Sequence, residues 1–341
     1  MNNDRIQEIL DLMEEARLDY FLISDPQSIA YCTGYYNDPH ERMFVFMISK
    51  HGNHTLFMND LFYLDHDLDV NIVWHKDGQD AIQTIVDEMH FPGRIGIDKN
   101  WASHFLLDLM KKLPDAKYIN ASPCVDLVRM KKDLQEQVLM IESSKINDAV
   151  MEEIIPFIQE GVTEKQLAKK LDELFFKHHS TCYGAIVAFG KNAADPHHEN
   201  DDTLLRKGDC VLIDMGCVYK GYCSDMTRTF FYEGILEEEI KVYEIVKKAN
   251  EAAEAMIKPG VKLSDIDKCA RKVISDEGYG KYFTHRLGHF IGRDVHEYGD
   301  VSSVNEMEVE EGMIFSIEPG IYLEGNFGVR VEDLVMVTKD G

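Results

Sequence analysis

The chain has 341 residues, enough for about two domains that each bury a core. Its 61 acidic residues outnumber 36 lysines and arginines, and the formal net charge of −25 argues against nucleic acid or an anionic membrane as the main partner. Seven cysteines without CxxC spacing favour a reduced compartment over a disulfide scaffold. No stretch approaches 18 apolar residues, and the first residues lack the apolar core of a signal peptide. We therefore expect a cytoplasmic protein.

The first third has the pattern of a small α/β domain. An amphipathic helix through Ile6 and Met13 leads to an apolar strand, Tyr20-Phe21-Leu22-Ile23. Residues 42–49 and 54–58 alternate about the turn Lys50-His51-Gly52-Asn53, which predicts a hairpin. Helix and strand signals then alternate as far as a strand at 94–98. We place the boundary near residue 124, which gives an N-terminal domain of residues 1–124 and a C-terminal domain of residues 125–341.

The second domain has the pattern of an internal duplication. Gly161 precedes a helix that Thr163 opens with a capping box, and about a hundred residues later Gly260 precedes another helix. Each helix leads on to a hairpin that carries acidic residues. Asp214 follows Gly161 by 53 residues, and Glu318 follows Gly260 by 58. The matching positions predict two similar halves.

The first of these hairpins contains a carboxylate inside an apolar strand, at Asp214 in Val211-Leu212-Ile213-Asp214-Met215-Gly216. Such a carboxylate is costly to bury unless a cation or a donor compensates it. With Tyr219-Lys220-Gly221 as the turn, Asp214 faces Asp225 across the hairpin, with Cβ atoms roughly 5 Å apart. The geometry suits a metal site.

The second hairpin repeats this arrangement around Glu324-Gly325-Asn326, a three-residue turn that contains glycine. Its strands place Glu318 opposite Glu332. With 61 acidic residues in the chain, one facing pair arises easily by chance. Two matched pairs with apolar flanks favour a single metal centre at which four carboxylates converge.

Three histidines lie between the hairpins, His285, His289 and His296, within twelve positions of small and apolar residues. A single histidine would be uninformative, but three so close together indicate a site. His197 and His198 form a further pair in a polar loop after an apolar strand. For this pair, a place in the site and a solvated turn both fit the sequence.

These residues carry a resemblance to the pita-bread metallopeptidases, the group of methionine aminopeptidase, aminopeptidase P and prolidase. Over about residues 180–340, the strings PHH, LIDMG, SDMTRTF, HRLGHFIG, SIEPGIY and GVRVEDLV resemble the Xaa-Pro branch, and HRxGHxIG resembles prolidases. The first domain more loosely resembles the creatinase-like N-terminal domain. The resemblance implies an α/β (α+β) fold, with a small creatinase-like N-terminal α/β domain and a C-terminal pita-bread domain with an internal pseudo-two-fold repeat.

The resemblance also implies a dinuclear metal site. Asp214 would chelate the first ion, and Asp225 and Glu332 would bridge both ions. His289 and Glu318 would complete the second ion's ligands. Two divalent ions would neutralise the four carboxylates, and oxygen-rich ligands with one imidazole suit Mn²⁺, with Co²⁺ or Zn²⁺ as alternatives.

Catalytic roles follow from the same resemblance. Glu318 would act as general base on the attacking water. His197, His285 and His296 would surround the substrate. His197 and His296 would stabilise the tetrahedral oxyanion or protonate the leaving nitrogen.

A dipeptidase must also bind the free carboxylate of its substrate and exclude longer peptides. Arg293 and Arg330 are candidates for that contact, although Arg330 equally fits a role in orienting the carboxylates. The segment Asp38-Pro39-His40-Glu41-Arg42 fits a lid or partner-subunit loop, and it also fits a solvated turn. Phe290 stands where prolidases have glycine, which predicts a narrowed or reshaped pocket.

The expected function is metal-dependent hydrolysis of Xaa-Pro dipeptides by a homodimer. The alternative is an aminopeptidase P, which releases the first residue of longer Xaa-Pro peptides. Methionine aminopeptidase is disfavoured by the extra N-terminal domain. A non-catalytic binding module and a metal-free, creatinase-like hydrolase share the fold, and both are disfavoured because all five ligand positions are filled.

Overall fold

The structure is a computed structural model that describes residues 1–91 and 93–341. The chain forms two compact units, Met1–Arg129 and Met130–Gly341. The boundary expected near residue 124 lies close to the start of the helix Pro123–Met130 and stays a prediction.

The first unit is built around a six-stranded mixed sheet. Its strands are β1 (Tyr20–Ile23), β2 (Val45–Ser49), β3 (Thr55–Asn59), β4 (Asn71–His75), β5 (Arg94–Ile97) and β6 (Lys117–Asn120), in the spatial order β4-β3-β2-β1-β5-β6. Its helices are α1 (Asn3–Glu15), α2 (Pro26–Thr33), α3 (Ala81–Glu88), α4 (Ser103–Lys112) and α5 (Pro123–Met130).

Both faces of this sheet are covered. In β1, Phe21 and Ile23 pack into one apolar cluster, whereas Tyr20 and Leu22 pack into another. Alternate side chains of a strand point to opposite faces, so every residue of β1 is buried. The first helix, β1 and the β2–β3 hairpin confirm the sequence predictions, although β2 begins at residue 45 rather than 42.

None of the helices among the described residues has the length and apolar character that crossing a membrane requires.

The second unit contains longer helices and short antiparallel strands. Its helices are α6 (Leu134–Ile154), α7 (Glu164–Lys177), α8 (Glu237–Glu254) and α9 (Leu263–Asp276). Its strands are β7 (Thr181–Cys182), β8 (Ile186–Phe189), β9 (Cys210–Met215), β10 (Cys217–Tyr219), β11 (Tyr222–Cys223), β12 (Met226–Phe231), β13 (Gly288–His289), β14 (Asp300–Val301), β15 (Ile314–Ile317), β16 (Gly320–Leu323), β17 (Phe327–Arg330) and β18 (Asp333–Met336).

The internal duplication is visible in hydrogen bonds at equivalent places. Gly161 and Gly260 precede α7 and α9 with φ of 83° and 87°, a backbone region that favours glycine. The N–H of Gly161 donates to Leu205 O, and that of Gly260 donates to Val309 O. Single bridges then join Thr163 to Leu204 and Lys262 to Glu308. The two halves therefore start their second helices in the same way.

The first carboxylate hairpin, residues 210–231, differs from its predicted register. Asp214 lies opposite Thr227, and Tyr219 lies opposite Tyr222, so Asp214 does not face Asp225. The turn has two residues, Lys220 and Gly221, with φ of 49° and 82°. Such turns match the twist of an antiparallel pair, and this one moves the register by two residues. A shift of two keeps side chains on the same face, so the two aspartates still reach the same cavity.

The second carboxylate hairpin, residues 314–336, has its predicted register. Ile317 pairs with Asp333 and Gly320 pairs with Arg330, which places Glu318 and Glu332 at the same level between the two short ladders. A bridge from Thr227 to Glu332 then joins the two hairpins.

Candidate metal centre

A cavity of about 780 Å³ lies inside the second unit, between the two carboxylate hairpins and the segment 284–296. Nine of the ten residues with predicted site roles line it: His197, Asp214, Asp225, His285, His289, His296, Glu318, Arg330 and Glu332. The remaining lining residues are Tyr183, Gly184, Ile186, Asp195, Pro196, Thr284, Arg286 and Val295.

The most enclosed part of the cavity is formed by Asp225, His289 and Glu332, which offer ligand atoms that all lie within 4.8 Å of one another. His289 Nε2 is 3.6 Å from Asp225 Oδ2 and 3.9 Å from Glu332 Oε1. All three residues are buried. Asp225 and Glu332 lie where strand pairing is interrupted, and this frees their side chains to turn into the cavity.

Glu318 joins this group through the same imidazole. Its Oε1 is 3.7 Å from His289 Nε2 and accepts a hydrogen bond from Ser316 Oγ at 3.4 Å. Glu318 follows β15, and Pro319 separates it from β16. The interruption in the ladder again presents the carboxylate to the cavity.

The orientation of His289 suits a ligand. Its Nδ1 lies 3.2 Å from Phe290 O, so we assign the proton to Nδ1, which donates to that carbonyl. Nε2 then carries a lone pair towards the three carboxylates. A hydrogen bond from the second ring nitrogen is the usual support for a metal-binding histidine.

Asp214 lines the cavity, but an arginine holds its carboxylate. Arg330 Nη2 donates to Asp214 Oδ2 at 2.5 Å, and Arg330 Nε donates to Thr227 Oγ1 at 3.0 Å. Arg330 Nη1 donates to Tyr322 Oη at 3.0 Å and to Pro196 O at 3.5 Å. Arg330 is buried and bonded at every nitrogen, so it connects the second hairpin to the first.

The carboxylates of the site outnumber the positively charged side chains that oppose their raised pKa values. Burial raises the pKa of Asp225, and Asp214 adds to that effect. Burial raises the pKa of Glu332, with a further contribution from Asp225. Burial also raises the pKa of Glu318 to about 8, with Glu332 adding to the rise. Arg330 opposes each of these shifts without cancelling them.

Four carboxylates beside one guanidinium cannot all be ionised in a buried cavity without further positive charge. Divalent cations would supply that charge, and the carboxylate oxygens with one imidazole nitrogen match the preference of Mn²⁺-like ions. The residues present therefore fit a metal centre. The described residues also include a second group with suitable ligand atoms, Glu164, His198 and Asp201, which lies outside the cavity.

His285 is held from both sides of its ring. Nδ1 donates to Arg286 O at 2.7 Å, and Nε2 accepts from Tyr322 Oη at 2.8 Å. Burial lowers the pKa of His285 to about 4. A chain of contacts thus runs from Asp214 through Arg330 and Tyr322 to a neutral His285.

His296 and His197 occupy other parts of the wall. The ring centroid of His296 is 4.1 Å from that of His289, and burial lowers the pKa of His296 to about 4, with His289 adding to the effect. His197 is exposed, and its backbone N–H donates to Asp195 Oδ1 at 3.0 Å. Both residues line the cavity.

Two predicted features lie elsewhere. Arg293 does not line the cavity, and its guanidinium carbon is 5.4 Å from the ring centroid of Tyr222. Phe290 is fully buried against Phe315, with ring centroids 5.3 Å apart, so the expected narrowing of the pocket is not observed.

The segment 38–42 lies in the first unit. There Arg42 makes two hydrogen bonds with Asp77, from Nε at 2.9 Å and from Nη2 at 2.8 Å. Its expected role as a lid or partner-subunit loop stays a prediction.

Several residues of the site had no role in the sequence interpretation. Tyr183 donates to Ser224 O at 2.8 Å, and burial raises its pKa, with Asp225 adding to the effect. Gly216 makes room for this tyrosine, because a Cβ there would lie 1.9 Å from Tyr183 Oη.

Arg286 lines the cavity, and its side chain makes no hydrogen bond or ion pair with any described residue. Arg286 stands in the HRLGHFIG string, but the string did not show which way its side chain points.

Comparison with known proteins identifies the family. Residues 138–339, more than half of the chain, match metallopeptidase family M24. The chain belongs to metallopeptidase family M24. Residues 5–131 match the creatinase/prolidase N-terminal domain. The resemblance drawn from the sequence strings is thereby confirmed for both domains, and the M24 protein is a metal-dependent peptidase.

Relatives of this M24 peptidase match nearly its whole length. An uncharacterized peptidase of Staphylococcus aureus is 34% identical over 346 aligned positions, which cover 99% of this chain and 97% of that protein. The solved prolidase of Thermococcus sibiricus has a TM-score of 0.92 and 32% identity, and the match covers 100% of this chain and 95% of that one. The X-Pro aminopeptidase of Thermotoga maritima has a TM-score of 0.84 and 29% identity, with coverage of 97% and 96%. The fold is thus shared by solved structures that are named prolidase and X-Pro aminopeptidase.

Proposed function

We propose that this M24 peptidase is a dinuclear, metal-dependent Xaa-Pro dipeptidase that works as a homodimer in the cytoplasm. The observation that carries the proposal is the convergence of both carboxylate hairpins with His289, His296 and His197 on one cavity. Similarity to the Thermococcus sibiricus prolidase supports the choice of substrate.

Five residues would hold the metal. Asp214 would bind one ion, Asp225 and Glu332 would bridge two, and His289 and Glu318 would complete the second. Mn²⁺ is the proposed ion, with Co²⁺ or Zn²⁺ as alternatives. When bound, such ions polarise a scissile carbonyl and lower the pKa of the attacking water.

The protein's own groups would move the protons. Glu318, at the edge of the buried group, takes the proton of the attacking water on its carboxylate. His197 and His296 border the same space and either hold the developing oxyanion or protonate the leaving nitrogen. His285, held between Arg286 O and Tyr322, keeps the Tyr322 hydroxyl in place for Arg330.

This arrangement suits proline on the leaving side. An Xaa-Pro bond is a tertiary amide without an N–H, so a peptidase that grips that N–H cannot hold it. A site that acts on the carbonyl oxygen and on the attacking water does not need this grip.

The substrate's free carboxylate requires a cation. Every nitrogen of Arg330 is already bonded, which supports the role of orienting Asp214 rather than a substrate contact. Arg286 lines the cavity and is better placed for that contact than Arg293. With Arg286→Met, we expect KM to rise for Leu-Pro and to stay unchanged for Leu-Pro-amide, which lacks the carboxylate. Arg293→Met should leave KM unchanged for both peptides. A raised KM for Leu-Pro in Arg293→Met, with none in Arg286→Met, would assign the contact to Arg293.

Substrate length decides between the two Xaa-Pro functions. We would compare cleavage of Leu-Pro and Leu-Pro-Pro in metal-free buffer and then with Mn²⁺ added, with Asp225→Asn as the inactive control. Metal-dependent cleavage of the dipeptide alone is the expected result. Preference for the tripeptide would favour an aminopeptidase P, as the similarity to the Thermotoga maritima enzyme allows. No cleavage of either peptide by metal-loaded protein would contradict the proposed substrate class.

A further inference from the structure

We propose that Glu164 is a positioning residue that fixes the loop carrying His197 at the wall of the cavity. The inference rests on the proposed function of His197, and it concerns a residue outside the cavity. Glu164 is the first residue of α7 and is completely buried.

The carboxylate of Glu164 accepts four hydrogen bonds from the segment 189–201. Its Oε1 accepts from the backbone N–H of Phe189 and from Asn192 Nδ2, both at 2.9 Å. Its Oε2 accepts from His198 Nε2 at 2.7 Å and from the backbone N–H of Asp201 at 3.0 Å. One buried side chain therefore binds the beginning, the middle and the end of this segment.

The part of the segment that faces the cavity is held to the second hairpin by a long hydrogen bond, from Arg330 Nη1 to Pro196 O at 3.5 Å. Asp195, Pro196 and His197 line the cavity, and His197 itself is exposed. The next residue, His198, is the one that donates to Glu164. Because an exposed side chain cannot be placed by packing, the position of His197 depends on its backbone. Glu164 fixes that backbone on the C-terminal side, through His198 and Asp201.

The internal repeat provides a comparison within the molecule. Thr163 and Lys262 make equivalent bridges, so the residues that follow them, Glu164 and Leu263, occupy equivalent positions. Leu263 is also completely buried. The second half thus begins its helix with a buried leucine, which shows that this helix start does not require a carboxylate. A buried carboxylate is costly unless donors compensate it, and in the first half the four donors all belong to the loop.

The test uses Glu164→Gln, which keeps the size of the side chain but replaces one acceptor oxygen with an NH₂ group. Two of the four donors then lose their acceptor. We expect kcat for Leu-Pro to fall about tenfold, less than the roughly 10²–10⁴-fold that complete loss of an acid–base group costs, with KM and bound metal unchanged. In a His197→Ala background, Glu164→Gln should cause no further fall in kcat, because Glu164 acts through His197.

Glu239→Gln is the matched control. Glu239 is another buried glutamate in the first turn of a helix, and it accepts from the backbone N–H of Leu236 at 2.7 Å. Among the described residues, it makes no hydrogen bond or ion pair with the segment 189–201. We expect this variant to lose thermal stability as Glu164→Gln does, while its kcat stays at the wild-type value.

A second measurement is independent of activity. Lys191 is exposed in the short 3-10 helix Gly190–Ala194 of this segment, so tryptic cleavage after it reports how firmly the segment is held. Cleavage should be faster in Glu164→Gln and unchanged in Glu239→Gln. His198→Gln, which keeps a donor, should be cleaved more slowly than His198→Leu.

Three results would overturn the proposal. The first is that Glu164→Gln lowers kcat equally in the wild-type and His197→Ala backgrounds. The others are loss of bound metal in Glu164→Gln and an unchanged rate of tryptic cleavage at Lys191 in that variant. Full turnover in His197→Ala alone would instead contradict the role of His197 in the proposed function. Loop cleavage would still decide whether Glu164 anchors the segment.

Discussion

The two carboxylate hairpins contribute different chemistry to the same cavity. The first hairpin places Asp214 inside a regular strand, opposite Thr227, and Asp225 where pairing is interrupted. The second places both Glu318 and Glu332 in an interruption of its ladder. Interrupted pairing thus accompanies the three carboxylates around His289, whereas the aspartate within a strand is the one held by an arginine.

Charge compensation also differs between the hairpins. Arg330 belongs to the second hairpin but forms its ion pair with Asp214 of the first. The pKa values of Glu318 and Glu332 are raised by burial, although Arg330 of the same hairpin opposes the rise. The hairpins therefore depend on each other, and neither would make a stable buried site alone.

The largest expected effect follows from removing a buried carboxylate of either hairpin. Asp225→Asn and Glu332→Gln should each lower kcat/KM by about 10³-fold or more, because a metal centre contributes several kcal/mol to the transition state at about 1.4 kcal/mol per tenfold change in rate. Bound metal, measured by elemental analysis, should fall in both. Near-wild-type turnover with full metal content in either variant would show that its hairpin supplies no ligand.

The second effect concerns the link between the hairpins. Arg330→Met removes one partner of a buried ion pair and should lower the free energy of unfolding of the metal-free protein by about 3–5 kcal/mol. Adding Asp214→Asn should restore part of the loss, because the unpaired charge disappears. Urea unfolding of both single variants and the double variant would measure the coupling, and additive losses would mean that the two side chains are independent.

The third effect is a pH dependence of stability. Glu318 has a pKa of about 8 in the folded protein, against an ordinary value of 4.5. Between these pH values the unfolded chain binds fewer protons than the folded one, so the free energy of unfolding of the metal-free protein should fall as pH rises from about 4.5 to about 8. The fall should be smaller in Glu318→Gln and should disappear with saturating Mn²⁺. An identical slope in the wild type and Glu318→Gln would show that Glu318 is not the group responsible.

A smaller effect is expected at the bridge between the hairpins. Thr227 Oγ1 donates to Glu332 Oε2 at 2.7 Å and accepts from Arg330 Nε at 3.0 Å. Thr227→Val should cost about 1–3 kcal/mol, because it removes the hydroxyl that bonds both Glu332 Oε2 and Arg330 Nε, two atoms of buried charged groups. Thr229→Val is the matched control on the same strand, where the hydroxyl bonds only to the backbone of Arg330, and it should cost less. Equal losses of unfolding free energy in Thr227→Val and Thr229→Val would show that the contacts of Thr227 with Glu332 and Arg330 add no special stability.

The smallest effects concern the turns. Asn-Gly is the preferred pair where both turn residues have positive φ, so Lys220→Asn should stabilise the first hairpin by about 0.5 kcal/mol. Gly325 has a φ of 76° in the second turn, so Gly325→Ala should destabilise the protein by about 1 kcal/mol. Thermal unfolding would measure both changes. The opposite sign in either variant would mean that the positive φ at that position does not determine the effect of the substitution.

The sequence predicted the second hairpin better than the first for a local reason. Gly325 centres a three-residue turn, and counting outward from it gives the observed pairs. Lys220 adopts positive φ, which is uncommon for a lysine, so the two-residue turn was not apparent from the sequence. The family and the position of the carboxylates were predictable nevertheless, because a shift of two residues leaves the same side chains on the same face.

Contacts between distant positions were not predictable. Ser143 and Asn147 lie on the buried face of α6, where Ser143 donates to Tyr222 O and Asn147 donates to Met215 O. Their acceptors belong to the first hairpin, 79 and 68 residues later, so no local pattern shows that these side chains donate hydrogen bonds there. The contact of Arg330 with Asp214 was missed for the same reason, although the sequence allowed a structural role for Arg330.

The central claim is that both hairpins together form one metal centre that performs the hydrolysis. The most direct measurement is a titration of chelator-treated protein with Mn²⁺, in which bound ions per chain and turnover of Leu-Pro are followed together. We predict two ions per chain, with turnover absent before binding and restored by it. Full turnover in protein shown to contain no metal, or two bound ions that leave turnover unchanged, would contradict the account.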